Sequence, residues 1–217
     1  MPVPAWLIRP GTVPYDVANA AMHRLAERRL ADEIPDTIIL LEHPPVFTAV
    51  EARGGLVRMI DRGGSFTYHG PGQLVGYPIL GLGSRPDAVD YLRRLEEAVI
   101  RICANVGVAS ERRADVQTGV WVGDDKICAI GVRLMRARVT LHGFALNCET
   151  DLSWFRGIVA CGLPEHGQTS LSDQLGRRVS VADVLPLAER HLSEVFDLSF
   201  QPAPGEFVSP LQVADAV

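Results

Sequence analysis

The sequence predicts a single α+β domain in which a mixed or antiparallel main sheet is flanked by helices in a two-layer (α/β) arrangement. Segments with a helical apolar period predict long helices, and short β-branched runs between them predict strands. These helices and strands do not alternate regularly, which argues against a parallel sheet built from βαβ units. The 217 residues are sufficient for one well-filled core.

The first third of the chain predicts one helix and three strands. Apolar residues at helical spacing predict the helix over 15–33. Two β-branched runs, 37–42 and 46–50, predict strands joined by a proline-containing turn. A third strand over 73–80 contains Pro78. Because proline lacks a backbone N–H, this residue favours a sheet edge or a bend.

Two further helices are predicted by their capping residues and apolar faces. The second helix begins near Ser84 and is stopped by Gly107. Its apolar face is formed by Leu92, Leu95, Val99, Ile102 and Val106. The third helix begins at a capping box made by Ser180 and Asp183 and continues to about Phe196.

The middle of the chain predicts three strands, over 119–123, 126–134 and 139–147. A Gly-Asp turn joins the first two of these as a hairpin. Because the residues after 200 are rich in proline and show no period, we expect one catalytic domain over 1–200 and a loose tail over 201–217.

Composition excludes several functional classes. Hydrophobic residues make up 47% of the chain and charged residues 22%, which is typical of a soluble globular protein. A formal net charge of −5 argues against nonspecific nucleic-acid binding. No apolar stretch approaches the ~20 residues that span a membrane, and the N-terminus lacks the pattern of a secretory signal. We therefore expect a cytoplasmic protein that contacts neither nucleic acid nor membrane.

The cysteines and the lysine of the chain point to covalent chemistry. Four cysteines occur without metal-ligand spacing, so no metal site is expected. Cys161 lies in a segment that contains glycines and a proline, which is an unusual sequence context for a core cysteine. Lys126 is the only lysine among 21 basic side chains. A cysteine nucleophile needs a nearby cation or a base, and lysine can serve as a base where arginine cannot.

A glycine-rich segment over 61–78 predicts a second part of the site. It surrounds Arg62, Thr67, Tyr68 and His69 with four glycines and a proline. Glycines at this density allow the backbone to approach a ligand closely and to offer its N–H groups. A simple glycine-rich hairpin turn is the alternative interpretation.

Four motifs occur in order: RGGSFTYHGPGQ at 62–73, GVWVGDDKICAIGVRL at 119–134, HGFALN at 142–147 and ACG at 160–162. Together they resemble the lipoyl/octanoyl transferase family over most of residues 40–175. The resemblance implies a fold similar to that of the biotin and lipoate protein ligases, with a mixed main sheet.

The resemblance also implies which residues form the site. Cys161 and Lys126 match the catalytic cysteine and lysine dyad of the family. The implied substrate-binding residues are Arg62, Gly63, Gly64, Ser65, Phe66, Thr67, Tyr68, His69, Ala129, Ile130, Gly131, His142, Gly143 and Phe144. One departure is Val50, which stands where the family commonly has glycine and which tolerates positive φ poorly.

The implied reaction moves an octanoyl group from octanoyl-acyl carrier protein to a lysine of a lipoyl domain, the first step of protein lipoylation. The acceptors would be the lipoyl domains of 2-oxoacid dehydrogenases and the glycine cleavage H protein. Exchange between thioesters conserves bond energy, and formation of an amide from a thioester is downhill. We therefore expect no ATP, no other cofactor and no metal ion.

Two alternatives share parts of this pattern. An ATP-dependent lipoate protein ligase would need the glycine-rich segment and the lysine but not Cys161. A noncatalytic module that binds acyl carrier protein would need neither member of the dyad. The individual roles of His69, His142 and Arg62 stay open between pocket groups and structural ones, whereas Cys128 and Cys148 have the strand pattern of core residues.

Overall fold

The computed structural model contains ten strands, five α-helices and short 3₁₀ turns in the part of the chain that it describes. That part comprises residues 1–49, 57–59, 66–113, 116, 118–156 and 166–212. The strands are β1 (Val3–Thr12), β2 (Asp36–Glu42), β3 (Val46–Ala49), β4 (Val57–Met59), β5 (Thr67–His69), β6 (Gln73–Ile79), β7 (Gly119–Val122), β8 (Asp125–Met135), β9 (Val139–Asn147) and β10 (Leu198–Pro202). The helices are α1 (Tyr15–Leu30), α2 (Ala88–Val106), α3 (Leu171–Leu175), α4 (Val181–Phe196) and α5 (Gly205–Val208).

Seven strands form the main sheet in the order β10-β1-β2-β6-β9-β8-β7. The pairs β10 with β1 and β1 with β2 are parallel, and the remaining pairs are antiparallel. A second, smaller sheet has the order β4-β3-β5. The main sheet is therefore mixed, as the sequence predicts, although the predicted strands 37–42 and 46–50 belong to different sheets.

Helices cover both faces of the main sheet. The apolar faces of α2 and α4 pack on one face, together with alternate residues of β6, β8 and β9. On the other face, α1 and the C-terminal segment pack over the intervening residues of the same strands. The helix α1 therefore forms a layer in addition to the two layers, sheet and helices, that the sequence predicts. None of the helices in the described ranges is long and apolar enough to cross a bilayer.

The capping residues explain where the two long predicted helices begin. Asp87 caps α2 through its carboxylate, which accepts hydrogen bonds from the N–H groups of Val89 and Asp90. Gly107 ends α2 with φ 96°, a conformation that glycine adopts without strain. Ser180 and Asp183 form the predicted capping box of α4. Both helix predictions are confirmed.

Pro78 lies in a central strand and not at a sheet edge. β6 runs between β2 and β9, but its pairing with β9 stops at Gly76, before the proline is reached. The ring of Pro78 faces Gly143 of β9, 2.6 Å from the position that a Cβ on that glycine would occupy. The interrupted pairing explains why the missing N–H of proline is tolerated there.

The C-terminal segment is not loose up to residue 212. β10 pairs with β1 in parallel, and the side chain of Leu211 is fully buried under α1. Neither strand is predicted from the sequence, because prolines interrupt both and the alternation is weak. The two strands pair in parallel through residues almost 200 positions apart. Neither segment alone therefore contains a pattern that predicts the pairing.

A buried histidine ties the start of α1 to the main sheet. His43 is fully buried after β2, and its Nδ1 lies 2.6 Å from the carbonyl oxygen of Val13. A carbonyl oxygen only accepts, so Nδ1 is the donor and Nε2 accepts from the hydroxyl of Tyr77 at 2.8 Å. Burial lowers the pKa of His43 from 6.5 to about 4, although the bond to Val13 opposes the shift.

This lowered pKa predicts a loss of stability in acid. Below pH 6.5 the His43 side chain binds a proton in the unfolded chain but stays neutral in the folded one. The contribution of neutral His43 to the free energy of unfolding is therefore complete above pH 6.5 and is lost as pH falls through about 4. Between pH 7 and 4.5 the loss should be about 2.5 kcal/mol of unfolding free energy. His43→Asn keeps an N–H donor for Val13 but does not titrate, so urea unfolding should show a correspondingly smaller pH dependence.

Circular dichroism at pH 7 is the folding control, and His43→Asn should keep the spectrum of the unmodified protein. Equal pH dependence in His43→Asn and the unmodified protein would contradict the assignment of the acid loss to His43.

Candidate active site

Lys126 is held at the start of β8 by backbone pairing on both sides. One neighbour is β7, and the register shifts between Val120 and Trp121, which is the mark of a β-bulge. On the other side, the N–H of Lys126 donates to Gly167 O at 3.0 Å, and its carbonyl accepts from Thr169 N at 3.1 Å. The segment 166–170 is therefore fixed against Lys126.

The side chain of Lys126 is almost completely removed from water, with 1% exposure. Its Nζ lies 4.7 Å from the centroid of the buried Trp121 ring, within the range of a cation–π interaction. Its stem passes Gly119, where a Cβ would lie 3.4 Å from Lys126 Cε and 2.7 Å from the carbonyl oxygen of Cys128. Glycine at 119 thus makes room for the backbone of Cys128 and the stem of Lys126.

Lys126 lines a cavity of about 180 Å³ that residues of β5, β6, β8 and β9 border, together with Tyr15 of α1 and Leu92 of α2. The floor consists of two cross-strand pairs, Ala129 with Ala145 and Gly131 with Gly143. The short side chains of Ala129 and Ala145 and the absent one of Gly131 leave space above these strands, whereas the absent side chain of Gly143 makes room for the backbone of β6 at Gly76. The walls include larger residues, namely Tyr15, Thr67, His69, Val75, Tyr77, Leu92 and Thr118. An apolar floor with a few polar groups suits a small, largely aliphatic ligand.

The backbone of β9 is unusual where it borders the cavity. His142 has φ 59°, a left-handed conformation that is costly for a residue with a side chain. Its N–H donates to the sulfur of Met22 at 3.1 Å. A side chain at Gly143 would overlap the carbonyl oxygen of Gly76. The His142–Gly143 peptide therefore approaches β6 more closely than a regular pair allows.

Most of the predicted site residues in the described ranges border this one cavity. They are Lys126, Thr67, His69, Ala129, Ile130, Gly131, His142, Gly143 and Phe144. The predicted residues Cys161, Arg62, Gly63, Gly64 and Ser65, and also Val50, lie outside the described residues.

Phe66 and Tyr68, which the resemblance places in the substrate site, are not among the described residues that line this cavity. Tyr68 stacks on Trp154 with ring centroids 5.3 Å apart and contacts Phe155 edge to face. The rings of Phe66 and Phe47 lie 5.5 Å apart in the same aromatic cluster. Successive residues of a strand point to opposite sides, so Thr67 and His69 face the cavity and their neighbours face the cluster.

Several residues of the cavity wall are not predicted from the sequence. These residues are Tyr15, Val75, Tyr77, Leu92, Thr118, Val132 and Ala145. A signal was present for Ala145, because β8 and β9 each carry a small residue at alternate positions, in AIG and GFA. Two neighbouring strands with this pattern indicate a depression in one face of a sheet.

The cysteines other than Cys161 have surroundings that disfavour a thiolate. Cys103, Cys128 and Cys148 are all buried. Burial raises the pKa of Cys103 to about 11, and it also raises the pKa values of Cys128 and Cys148 above that of an ordinary thiol. None of the three lines the cavity. In the described ranges, no group of three or more His, Cys, Asp or Glu side chains is placed to bind a metal ion.

Comparison with known proteins gives a consistent result. The lipoyl protein ligase A/B catalytic domain matches residues 14–193. An octanoyltransferase of Acidothermus cellulolyticus is 52% identical over 197 residues, which cover 85% of this chain and 88% of the relative. An octanoyltransferase of Mycobacterium leprae is 45% identical over 93% of each chain.

Solved structures show the same fold at low identity. A lipoate protein ligase of T. acidophilum with bound lipoic acid has a TM-score of 0.70 at 18% identity, covering 98% of this chain and 94% of that one. A biotin protein ligase of Aquifex aeolicus has a TM-score of 0.54 at 12% identity, over 90% of this chain and 69% of that one. The predicted fold is confirmed, and the chain belongs to the family of the lipoyl protein ligase A/B catalytic domain.

Proposed function

We propose that this protein transfers an octanoyl group from octanoyl-acyl carrier protein to a lysine of lipoyl domains, through a thioester on Cys161. The predicted enzyme class is confirmed by relatives named octanoyltransferases that are 45–52% identical over most of the chain. The observation that carries the mechanism is the desolvated Lys126 amine at the wall of a small, mainly apolar cavity. A cytoplasmic location remains part of the proposal.

In the first half-reaction, the Cys161 thiolate attacks the carbonyl carbon of the octanoyl thioester. The bond to the carrier sulfur breaks, and the departing thiolate takes a proton from Lys126. The octanoyl group is then a thioester of Cys161. The floor formed by Ala129, Ala145, Gly131 and Gly143 provides room for its aliphatic chain.

In the second half-reaction, the amine of the acceptor lysine attacks the carbonyl carbon of this thioester. Lys126 takes the proton that the amine loses, and the bond to Cys161 breaks as its thiolate leaves. The product is an amide, which is more stable than the thioester. ATP therefore has no step to drive.

Both steps form a tetrahedral oxyanion that needs hydrogen-bond donors. Backbone N–H groups near Gly131 and Gly143 are candidates, because both residues border the cavity. A single such donor contributes about 3 kcal/mol in enzymes that use one. The His142 N–H is less suitable, since it already donates to Met22.

An ATP-dependent lipoate protein ligase is the alternative with a related fold. The solved ligases have 16–18% identity to this chain and so share its fold without specifying its reaction. The two activities differ in one requirement. Octanoyl transfer should proceed at the same rate without ATP, whereas a ligase should be inactive without it.

The proposal predicts a covalent intermediate on one cysteine. Incubation with octanoyl carrier protein should add one octanoyl group to the intact protein, and hydroxylamine should remove it, as it does from thioesters. Cys161→Ala should abolish the adduct. Cys128→Ala and Cys148→Ala are matched controls that should retain it, because their thiols are buried. An adduct of normal yield in Cys161→Ala would contradict the assignment of Cys161 as the nucleophile.

Substitutions of Lys126 separate a base from a fixed charge. Lys126→Arg keeps a cation and Lys126→Met keeps the approximate length of the side chain, but neither supplies a base at neutral pH. Both variants should lose about 100-fold or more in the rate of transfer to the acceptor lysine, the typical contribution of a general base. The rate is measured under single-turnover conditions, and circular dichroism checks folding. Near-normal transfer by Lys126→Arg would show that the charge alone is needed.

A further inference from the structure

A chain of buried amide groups connects the segment beside Lys126 to His69. Asn147 Nδ2 donates to the carbonyl oxygen of Thr169 at 3.0 Å. Gln73 Nε2 donates to Asn147 Oδ1 at 2.9 Å, and Gln73 Oε1 lies 2.8 Å from His69 Nδ1. Thr169 in turn donates its N–H to the carbonyl of Lys126. His69, Gln73, Asn147 and Thr169 are all buried.

Two backbone carbonyls fix the orientation of both amides. Because the carbonyl of Thr169 only accepts, the nearby atom of Asn147 is its NH₂ group, and Asn147 Oδ1 faces Gln73. The carbonyl of Tyr68 accepts independently from Gln73 Nε2 at 3.4 Å. The carbonyl end of Gln73 therefore faces His69. We assign the proton of this contact to His69 Nδ1 on these grounds.

This assignment determines what His69 offers at the cavity wall. A neutral imidazole carries one N–H, so with Nδ1 as donor its Nε2 is an acceptor. The rings packed on His69 add no positive charge. Tyr15 stacks on it with ring centroids 6.5 Å apart, and His43, 5.9 Å away, is neutral because its own pKa is lowered to about 4 by burial.

We propose that Gln73 and Asn147 are positioning residues that hold His69 in the Nδ1–H tautomer, so that Nε2 accepts a hydrogen bond from the attacking amine of the acceptor lysine. This inference rests on the proposed octanoyl transfer. One N–H of the amine bonds to Nε2, which aims the nitrogen lone pair at the acyl carbon. An arriving amine takes the place of any donor that Nε2 has in the resting protein.

The proton that the amine loses still passes to Lys126, so His69 changes no covalent bond. It does not donate to the oxyanion, because its one proton is held by Gln73. The amide chain also explains how the parts of the site keep their relative positions. It links β5, β6, β9 and the segment 166–170, and that segment is paired with Lys126.

The tautomer is tested by ¹⁵N NMR of the histidine side chains in the wild-type protein. The signal of His69, one of six histidines, is identified by its absence from His69→Asn. At neutral pH its Nδ1 should be protonated and its Nε2 unprotonated. A spectrum with protonated Nε2, as the other tautomer or as the imidazolium, would overturn the proposal. This measurement needs no activity and no variant of the amide chain.

The positioning role is tested by measuring the two half-reactions separately in Gln73→Met. This change should remove the tautomer preference of His69. It should slow transfer from octanoyl-enzyme to the lipoyl domain about tenfold, as expected when one hydrogen bond to a reacting group is lost. Acyl-enzyme formation from a small octanoyl thioester, followed by intact mass, should stay within about twofold.

Gln174→Met is the matched control. Gln174 donates to the side chain of Thr169 and lies outside the amide chain, so this variant should keep the tautomer and both rates. Equal slowing of both half-reactions in Gln73→Met would overturn the positioning role, because a structural defect affects both. A wild-type protein that forms no octanoyl-enzyme would instead contradict the proposed function, and the NMR result would be unaffected.

Discussion

The candidate active-site cavity depends on small residues in two adjacent strands. On one face of the sheet, Ala129 pairs with Ala145 and Gly131 pairs with Gly143. The missing side chain of Gly143 makes room for the backbone of β6 at Gly76. Elsewhere, the same face is filled by larger apolar residues that pack against α1. A depression in an otherwise close-packed layer cannot collapse, because β8 and β9 are held by continuous pairing. The sheet therefore supplies a rigid candidate site for the proposed aliphatic chain.

The described polar side chains beside this apolar region are held by specific contacts. Lys126 lies against Trp121 and has its backbone paired with segment 166–170. Gln73 and Asn147 satisfy each other and two backbone carbonyls. Burial of unpaired polar groups would cost several kcal/mol, so these arrangements are rigid by necessity. Rigidity of this kind suits the proposed transfer, in which an acyl carbon is held between a thiol and an amine.

Local signals account for the parts of the fold that the sequence predicts. The cap and apolar face of α2 and the capping box of α4 lie within single segments, and both helices occur as expected. β1 and β10 have no such signal, because their pairing joins the two ends of the chain. The missing N–H of Pro78 predicts a strand at the edge of the sheet. The pairing between β6 and β9 is instead interrupted beside Gly143, and this feature depends on β9 as well as on the segment that contains Pro78.

The candidate site likewise contains residues that the sequence predicts and residues that only the structure reveals. The motifs around Lys126 and His142 identify the cavity by resemblance, and the structure brings their residues together. The motif at 62–73 does not reveal that Tyr68 faces an aromatic cluster while His69 faces the cavity. The hydrogen bond between Gln73 and Asn147 spans 74 residues, so neither amide has a role that its own segment predicts.

A crystal structure of the protein with an octanoyl group attached to Cys161 would test the central claim most directly. The account predicts that the acyl chain lies over the floor formed by Ala129, Ala145, Gly131 and Gly143, within about 4 Å of the two alanine methyl groups. The Lys126 amine should be the ionisable group next to the acyl carbonyl. An acyl chain that lies instead against the cluster of Phe47, Tyr68 and Trp154 would contradict the account.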